Sequence, residues 1–268
     1  MRGLALEGGG ARGAYHIGVV KALMENGYDF DGFVGTSIGA INAAILAQGD
    51  FKKAAELWAN ISMNEVFDED EQLLIQPPSL NDIKKDTEIP VNMRKALAKV
   101  VSRKGINTKK IKALLETYID ETTIRQSRKD FGLVTVSVNE RKPYELMLEN
   151  IPLNQLIHYL MASACFPGFQ YERIGENLFT DGGFHDNCPH RLLTNRQYDE
   201  IIVIRTKSLG VFRKVTDEKR IKVIEPRVEL GNLLLFSPEN SNVNMLLGYK
   251  DGQDFIRNLH ESLFKKIA

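Results

Sequence analysis

The stretch LALEGGGARGAYHIG, residues 4–18, decides how the rest of the chain is read. A short apolar run enters a glycine turn and leaves as a helical pattern, which is how a dinucleotide site begins and also how some esterases build an oxyanion hole. Gly8, Gly10 and Gly13 satisfy G-x-G-x-x-G in the right place. A dinucleotide site further needs an acidic residue about twenty positions on, at the end of the next strand, to hold a ribose hydroxyl. Asp29 and Asp31 lie at that distance, but both precede the next strand signal, GFVGT at 32–36. The end of that strand carries GTSIG, residues 35–39, instead.

GTSIG is a G-x-S-x-G at a strand-to-helix junction. Such a turn forces its central residue into strained backbone geometry, and Gly35 and Gly39 remove the Cβ atoms that would collide. Ser37 is then held clear of the backbone, while the Ile38 N–H and the positive end of the following helix point toward any oxyanion formed on it. If the two strands are parallel neighbours, both turns sit at one edge of the sheet. The amides of Gly8, Gly9 and Gly10 then lie beside Ser37, where one oxyanion donor is worth ~3 kcal/mol of barrier. For Arg12, in the first helical turn, three roles stand open: bracing the loop, meeting a substrate phosphate, or pairing with a carboxylate.

The flanking pattern is α/β. GLALE at 3–7, a helix from about Arg12 to Asn26, GFVGT, and a helix from Ile38 to Gln48 alternate through short turns, which argues for a parallel sheet covered by helices. Between about 51 and 129 the strand signal disappears and helical patterns take over, with polar loops such as QPPSLND; this is the candidate insert or cap within a single domain of 268 residues. Strands return at FGLVTVSVN (131–139), which turns at Arg141-Lys142-Pro143 into YELML as a hairpin. The helix LNQLIHYLMASA ends before Pro167. FQYERI, NLFTDGG, EIIVIRT and IKVIEP follow, and a long amphipathic helix begins after about Ser241.

A serine nucleophile needs a proton acceptor, normally histidine. None of His16, His158, His185, His190 and His260 lies in a context that singles it out. A partly desolvated carboxylate touching Oγ serves equally. FTDGGFHDNCP offers Asp181, directly after a strand signal and followed by two glycines, with Asp186 as a rival and His185 or His190 as fallbacks.

Together, GGGARG at 8–13, GTSIG at 35–39 and DGG at 181–183 resemble the patatin-like phospholipase family, and ASACFPGF at 162–169 is similar to the small-residue stretch that the family places before its aspartate. The resemblance spans roughly residues 3 to 190; the last seventy or so residues add little to it. It implies a three-layer α/β/α domain with a mainly parallel sheet that hydrolyses lipid carboxylic esters. Ser37 is then the nucleophile and Asp181 the base of a dyad, with Gly8, Gly9, Gly10 and Arg12 around the oxyanion and no metal or cofactor. Glu7 departs from the Asp that many members carry there.

Composition narrows the partners. The chain is 43% hydrophobic, with 35 basic and 35 acidic residues, so nothing selects nucleic acid. The N-terminal apolar run is too short for a secretory signal and no stretch reaches the ~20 residues of a membrane span, so the expected location is cytoplasmic, with peripheral contact at the inner face of the membrane open. Cys165 and Cys188 show no zinc spacing and read as buried, reduced thiols. Residues 89–115 carry Arg94, Lys95, Lys99, Arg103, Lys104, Lys109, Lys110 and Lys112 without an acidic residue. Two readings stand for this island: a solvated face balanced by NEVFDEDE at 64–71, or a docking surface for anionic lipid. Two other functional classes remain as alternatives, a membrane-surface adaptor with little catalysis and a dinucleotide-binding oxidoreductase.

Overall fold

A computed structural model describes residues 1–76, 91–102, 104–216 and 219–267. Its sheet grows from the two strands flanking the glycine turn, β1 (Arg2–Leu6) and β2 (Gly32–Thr36), which pair in parallel from Gly3↔Gly32 to Leu6↔Gly35. Both are almost wholly buried, as expected of strands covered on both faces. Each feeds a helix: α1 (Ala14–Glu25), entered through a 3-10 turn at Gly10–Gly13, and α2 (Ile38–Ala47). All of α2 is buried, which suits a helix without a single charged side chain.

The insert is helical: α3 (Phe51–Asn60), α4 (Met63–Val66), α5 (Glu69–Ile75), α6 (Val91–Ser102), α7 (Lys109–Tyr118) and α8 (Glu121–Gln126). Most of the QPPSLND loop, the start of the basic stretch at 89–90, and Arg103 fall outside the described residues. The chain then returns to the sheet with β3 (Asp130–Ser137) and β4 (Lys142–Met147), an antiparallel pair turning at Arg141, whose φ is 55°. Next come α9 (Leu156–Ser163), β5 (Glu172–Ile174), β6 (Asn177–Asp181), the short α10 (Arg191–Thr194), β7 (Glu200–Ile204), β8 (Ile221–Ile224) and α11 (Pro238–Ile267).

The strand order is β5-β6-β3-β2-β1-β7-β8, with β4 on the free edge of β3. The run β3-β2-β1-β7-β8 is parallel, and β4, β5 and β6 add an antiparallel margin. β4 occupies one edge of β3 from Gly132 to Ser137, so β2 and β6 share the other edge: Thr36 stands opposite Val134 and Asp181 opposite the next residue, Thr135. The C-terminal ends of β2 and β6 therefore meet head to head.

Alternate residues of the strands enter two cores. Leu4, Leu6, Phe33, Ile202 and Ile204 face the larger one, which runs without a break into α1, α2, α9 and the insert through Trp58, Phe67 and Leu115. Ala5, Val34, Ile201 and Val203 face a smaller one closed by Leu193 of α10, Tyr198 and Cys188, so the two helical layers are unequal. α11 lies along α1, and a Cβ on Gly18 would stand 1.9 Å from the Met245 carbonyl, one on Gly248 2.1 Å from that of Tyr15. Only glycines permit so close a crossing.

Candidate active site

The elbow at the end of β2 has the predicted strain. Ser37 sits at φ 56°, ψ −129°, a conformation that costs a non-glycine residue roughly 1–3 kcal/mol and persists only where the surroundings over-determine it. Here they do. A Cβ on Gly35 would lie 2.2 Å from the Gly39 carbonyl carbon, and one on Gly39 2.3 Å from the Leu6 carbonyl oxygen, so both positions must be glycine. From below, the Ser37 amide donates to the Ser163 hydroxyl at 2.9 Å, and that hydroxyl donates to the Val134 carbonyl at 2.7 Å. Ser163 is fully buried at the end of α9, inside the ASACFPGF stretch. Its bracing role had no sequence signal beyond that small-residue run.

Facing the elbow across the meeting strand ends is Asp181, 6% exposed. Its amide donates to the Cys165 carbonyl at 2.9 Å, and its carboxylate accepts the Gly183 amide at 2.8 Å, with the Ser37 side chain near enough to favour its charged form. Burial pushes the carboxyl up to about 6; the Gly183 amide and the nearby Ser37 side chain pull it back in part. It is thus ionised at neutral pH yet more basic than an ordinary aspartate, the state a general base needs.

The rivals are turned elsewhere. Asp186 is also buried, but it pairs with Arg213 at 3.3 Å and accepts the Cys188 amide at 3.1 Å. His185 contacts Glu145 and Arg213, while His158 pairs with Glu172. Buried His190 lies against Phe212, and its Nδ1 is 3.1 Å from the Cys188 carbonyl. His16 lies under the loop against Asn42, with its imidazole pushed down to about 3 by burial.

The glycine loop divides its amides. Gly8 donates to the Asn187 carbonyl at 2.9 Å, which removes it from the expected set of oxyanion donors. Among the described residues, no acceptor pairs with the amides of Gly9, Gly10 or Ile38, and these three residues line the same cavity as Ser37 and Asp181. The Arg12 guanidinium donates to the carbonyls of Gly231 at 2.8 Å and Lys207 at 3.1 Å, the geometry of a brace. Glu7, fully buried, accepts the amides of Thr206 and Lys207 at 2.6 and 2.9 Å and pairs with Arg205 at 3.2 Å; burial raises its carboxyl and Arg205 draws it back. Arg12 and Glu7 thereby fasten the segment after β7 over the loop.

The cavity measures about 290 Å³. Its walls come from the insert (Leu57, Trp58, Phe67, Leu114), from the end of α9 onward (Phe166, Phe169), and from 208–210 and 233–236. The insert is therefore a wall of the site. The dinucleotide reading fails on the same geometry. The end of β2 is taken by the elbow, while Asp29 reaches out to Lys129 with its side chain 93% exposed and Asp31 accepts the Arg2 amide. Part of the basic island is neutralised as the solvated-face reading expects, with Lys99 bonded to Asp70 and Lys110 3.4 Å from Asp68. Among the described residues, no helix is long and apolar enough to cross a membrane.

Fold and site thus describe an α/β protein with a serine on a strained elbow, facing a buried carboxylate beside an apolar cavity. The family model for patatin-like phospholipases matches residues 4–194. The chain belongs to the patatin-like phospholipase family. It is 29% identical over 188 residues to a lysophospholipase, NTE1, of Mycosarcoma maydis, covering 70% of this chain and 9% of that protein. It is 50% identical over 56 residues to an uncharacterized NTE family protein of Mycobacterium bovis, covering 21% and 15%. The chain therefore spans a small part of the length of these relatives. VipD from Legionella pneumophila shares the fold at a TM-score of 0.59 and 15% identity, covering 96% of this chain and 67% of that one.

Proposed function

We propose that this chain hydrolyses carboxylic esters of lipids by way of Ser37 and Asp181. The observation that carries the reading is the strained Ser37 set beside the buried Asp181 carboxylate at the wall of a cavity whose lining is mostly apolar. As Ser37 Oγ attacks the acyl carbonyl, its proton passes to the Asp181 carboxylate. The tetrahedral oxyanion takes hydrogen bonds from the amides of Gly9, Gly10 and Ile38, and the positive end of α2 adds to the same field. Collapse breaks the bond to the alcohol, which leaves with the proton from Asp181. Water then attacks the acyl serine, giving its proton to Asp181, and Ser37 leaves with that proton as the fatty acid is released. The family and the name of the Mycosarcoma maydis relative support a lipid ester as the substrate class.

The test is intact mass after treatment with a long-chain fluorophosphonate. We expect one adduct on the wild type, none on Ser37→Ala, and slow labelling of Asp181→Asn. Full turnover in a folded Asp181→Asn protein would overturn the dyad. Liposome binding without any Ser37-dependent turnover would replace the proposal with the adaptor reading.

A further inference from the structure

Five aromatic rings line the cavity in series. Trp58 stacks on Phe236 at 6.4 Å, Phe236 meets Phe67 at 6.0 Å, Phe67 meets Phe169 at 6.0 Å, and Phe169 meets Phe166 at 6.1 Å. Both ends of this arc are tied to the proposed dyad. Trp58 donates its indole N–H to Asn42 of α2, the helix that Ser37 begins, at 2.9 Å. Phe166 follows Cys165, whose carbonyl holds the Asp181 amide. Phe67 is the middle ring, two removed from either end.

The backbone around Phe67 is fixed to an unusual degree. Val66 and Phe67 bridge two consecutive capping boxes, Ser62 with Glu65 at the start of α4 and Asp68 with Glu71 at the start of α5. The acidic run NEVFDEDE is thus largely capping chemistry. The Phe67 carbonyl accepts Gln72 Nε2 at 3.0 Å and Lys110 Nζ at 3.0 Å. Glu71, fully buried, accepts the Asn107 amide at 2.7 Å, beside Ile106, which bridges to Phe169. A ring held in this way is a hard stop.

Size gives the length. A dry apolar cavity of about 150 Å³ takes up one benzene, so about 290 Å³ holds a single chain of about a dozen carbons. Resting on the acyl-hydrolase reading above, we propose that the aromatic arc admits one acyl chain at a time and that Phe67 sets its length, selecting acyl groups of about a dozen carbons or fewer. Phe67 is a specificity-determining residue for that reaction.

The experiment has a catalytic and a binding arm. Nitrophenyl esters from butanoate to hexadecanoate are assayed below their micellar concentrations on the full chain, with Ser37→Ala as the blank. In the wild type kcat/KM climbs roughly fourfold per methylene and turns over near dodecanoate; Phe67→Ala moves the turnover point to longer esters, and Phe67→Leu, which keeps an apolar side chain, moves it less. The second arm uses Trp58, the only tryptophan in the chain. Fatty acids from hexanoate to octadecanoate are titrated into Ser37→Ala while indole emission is followed, so chain length is read without turnover. The gain in affinity per methylene ends near dodecanoate, and ends later in Ser37→Ala/Phe67→Ala. A wild-type profile still rising at hexadecanoate, or a Phe67→Ala or Phe67→Leu profile lowered uniformly with its turnover point in place, overturns the proposal. No Ser37-dependent ester cleavage with a length limit still seen in binding overturns the hydrolase reading alone.

Discussion

Asp181→Asn should abolish turnover and stabilise the fold, and the size of the gain follows from burial. The native carboxyl titrates at about 6 against an ordinary 3.8, because burial disfavours its charge more than Gly183 and Ser37 favour it. At about 1.4 kcal/mol per unit, ionised Asp181 costs the native state about 3 kcal/mol. The native carboxyl holds its proton more tightly than the unfolded one does. Stability from this group is therefore full below about pH 4 and is lost as pH rises through about 6. Asparagine keeps an oxygen for the Gly183 amide and never ionises. In a chain of this size, with Tm moving about 2–4 °C per kcal/mol, the variant should melt about 6–12 °C above wild type at about pH 8 and level with it at about pH 4. Asp186, also raised to about 6, titrates in both proteins and cancels in the difference. Thermal melts at the two pH values decide it: an equal or lower Tm for the variant at the higher pH would refute a desolvated base. Wild-type kcat/KM should correspondingly fall tenfold per pH unit below about 6 and be flat above.

Ser163→Ala removes the acceptor of the Ser37 amide and should lower kcat about tenfold with little change in KM, the scale of one unsatisfied buried donor; an unchanged kcat would show that the elbow needs no such brace. Gly248→Val places a branched Cβ against the Tyr15 carbonyl and should cost more than about 2 kcal/mol in urea unfolding, so a wild-type midpoint would refute the tight crossing of α1 and α11. Dialysis against EDTA should leave ester turnover unchanged, since every proton transfer of the proposed route begins or ends on Asp181; a requirement for added calcium would contradict that route.

What the sequence made legible was local. A strand, a glycine-flanked serine and a helix lie within a dozen residues, and strain at φ 56° can be anticipated because the same few residues create it. The order β1, α1, β2, α2 followed from short turns and apolar runs for the same reason. The unforeseen parts depend on distant segments. Gly8 loses its oxyanion role to the carbonyl of Asn187, and the cavity wall at 208–210 and 233–236 lies beyond both the recognisable motifs and the family match. The tail was opaque for a subtler reason: GYKDG at 248–252 spaces two glycines one helical turn apart, but only the partner helix shows what they admit.

The sharing of one edge of β3 by two strands has a bearing on how such a protein changes over time. Because Val134 and Thr135 seat the strand ends that carry Ser37 and Asp181, the span between these two groups is fixed by a single peptide step. The long excursion through the insert contributes nothing to that span. Segments there can lengthen, shorten or be exchanged, reshaping what the cavity accepts while Ser37 and Asp181 stay in register. A residue added to β3 between those two positions would instead move them apart by ~3.3 Å, beyond hydrogen-bonding reach. The fold thus separates the part that must not drift from the part free to diversify.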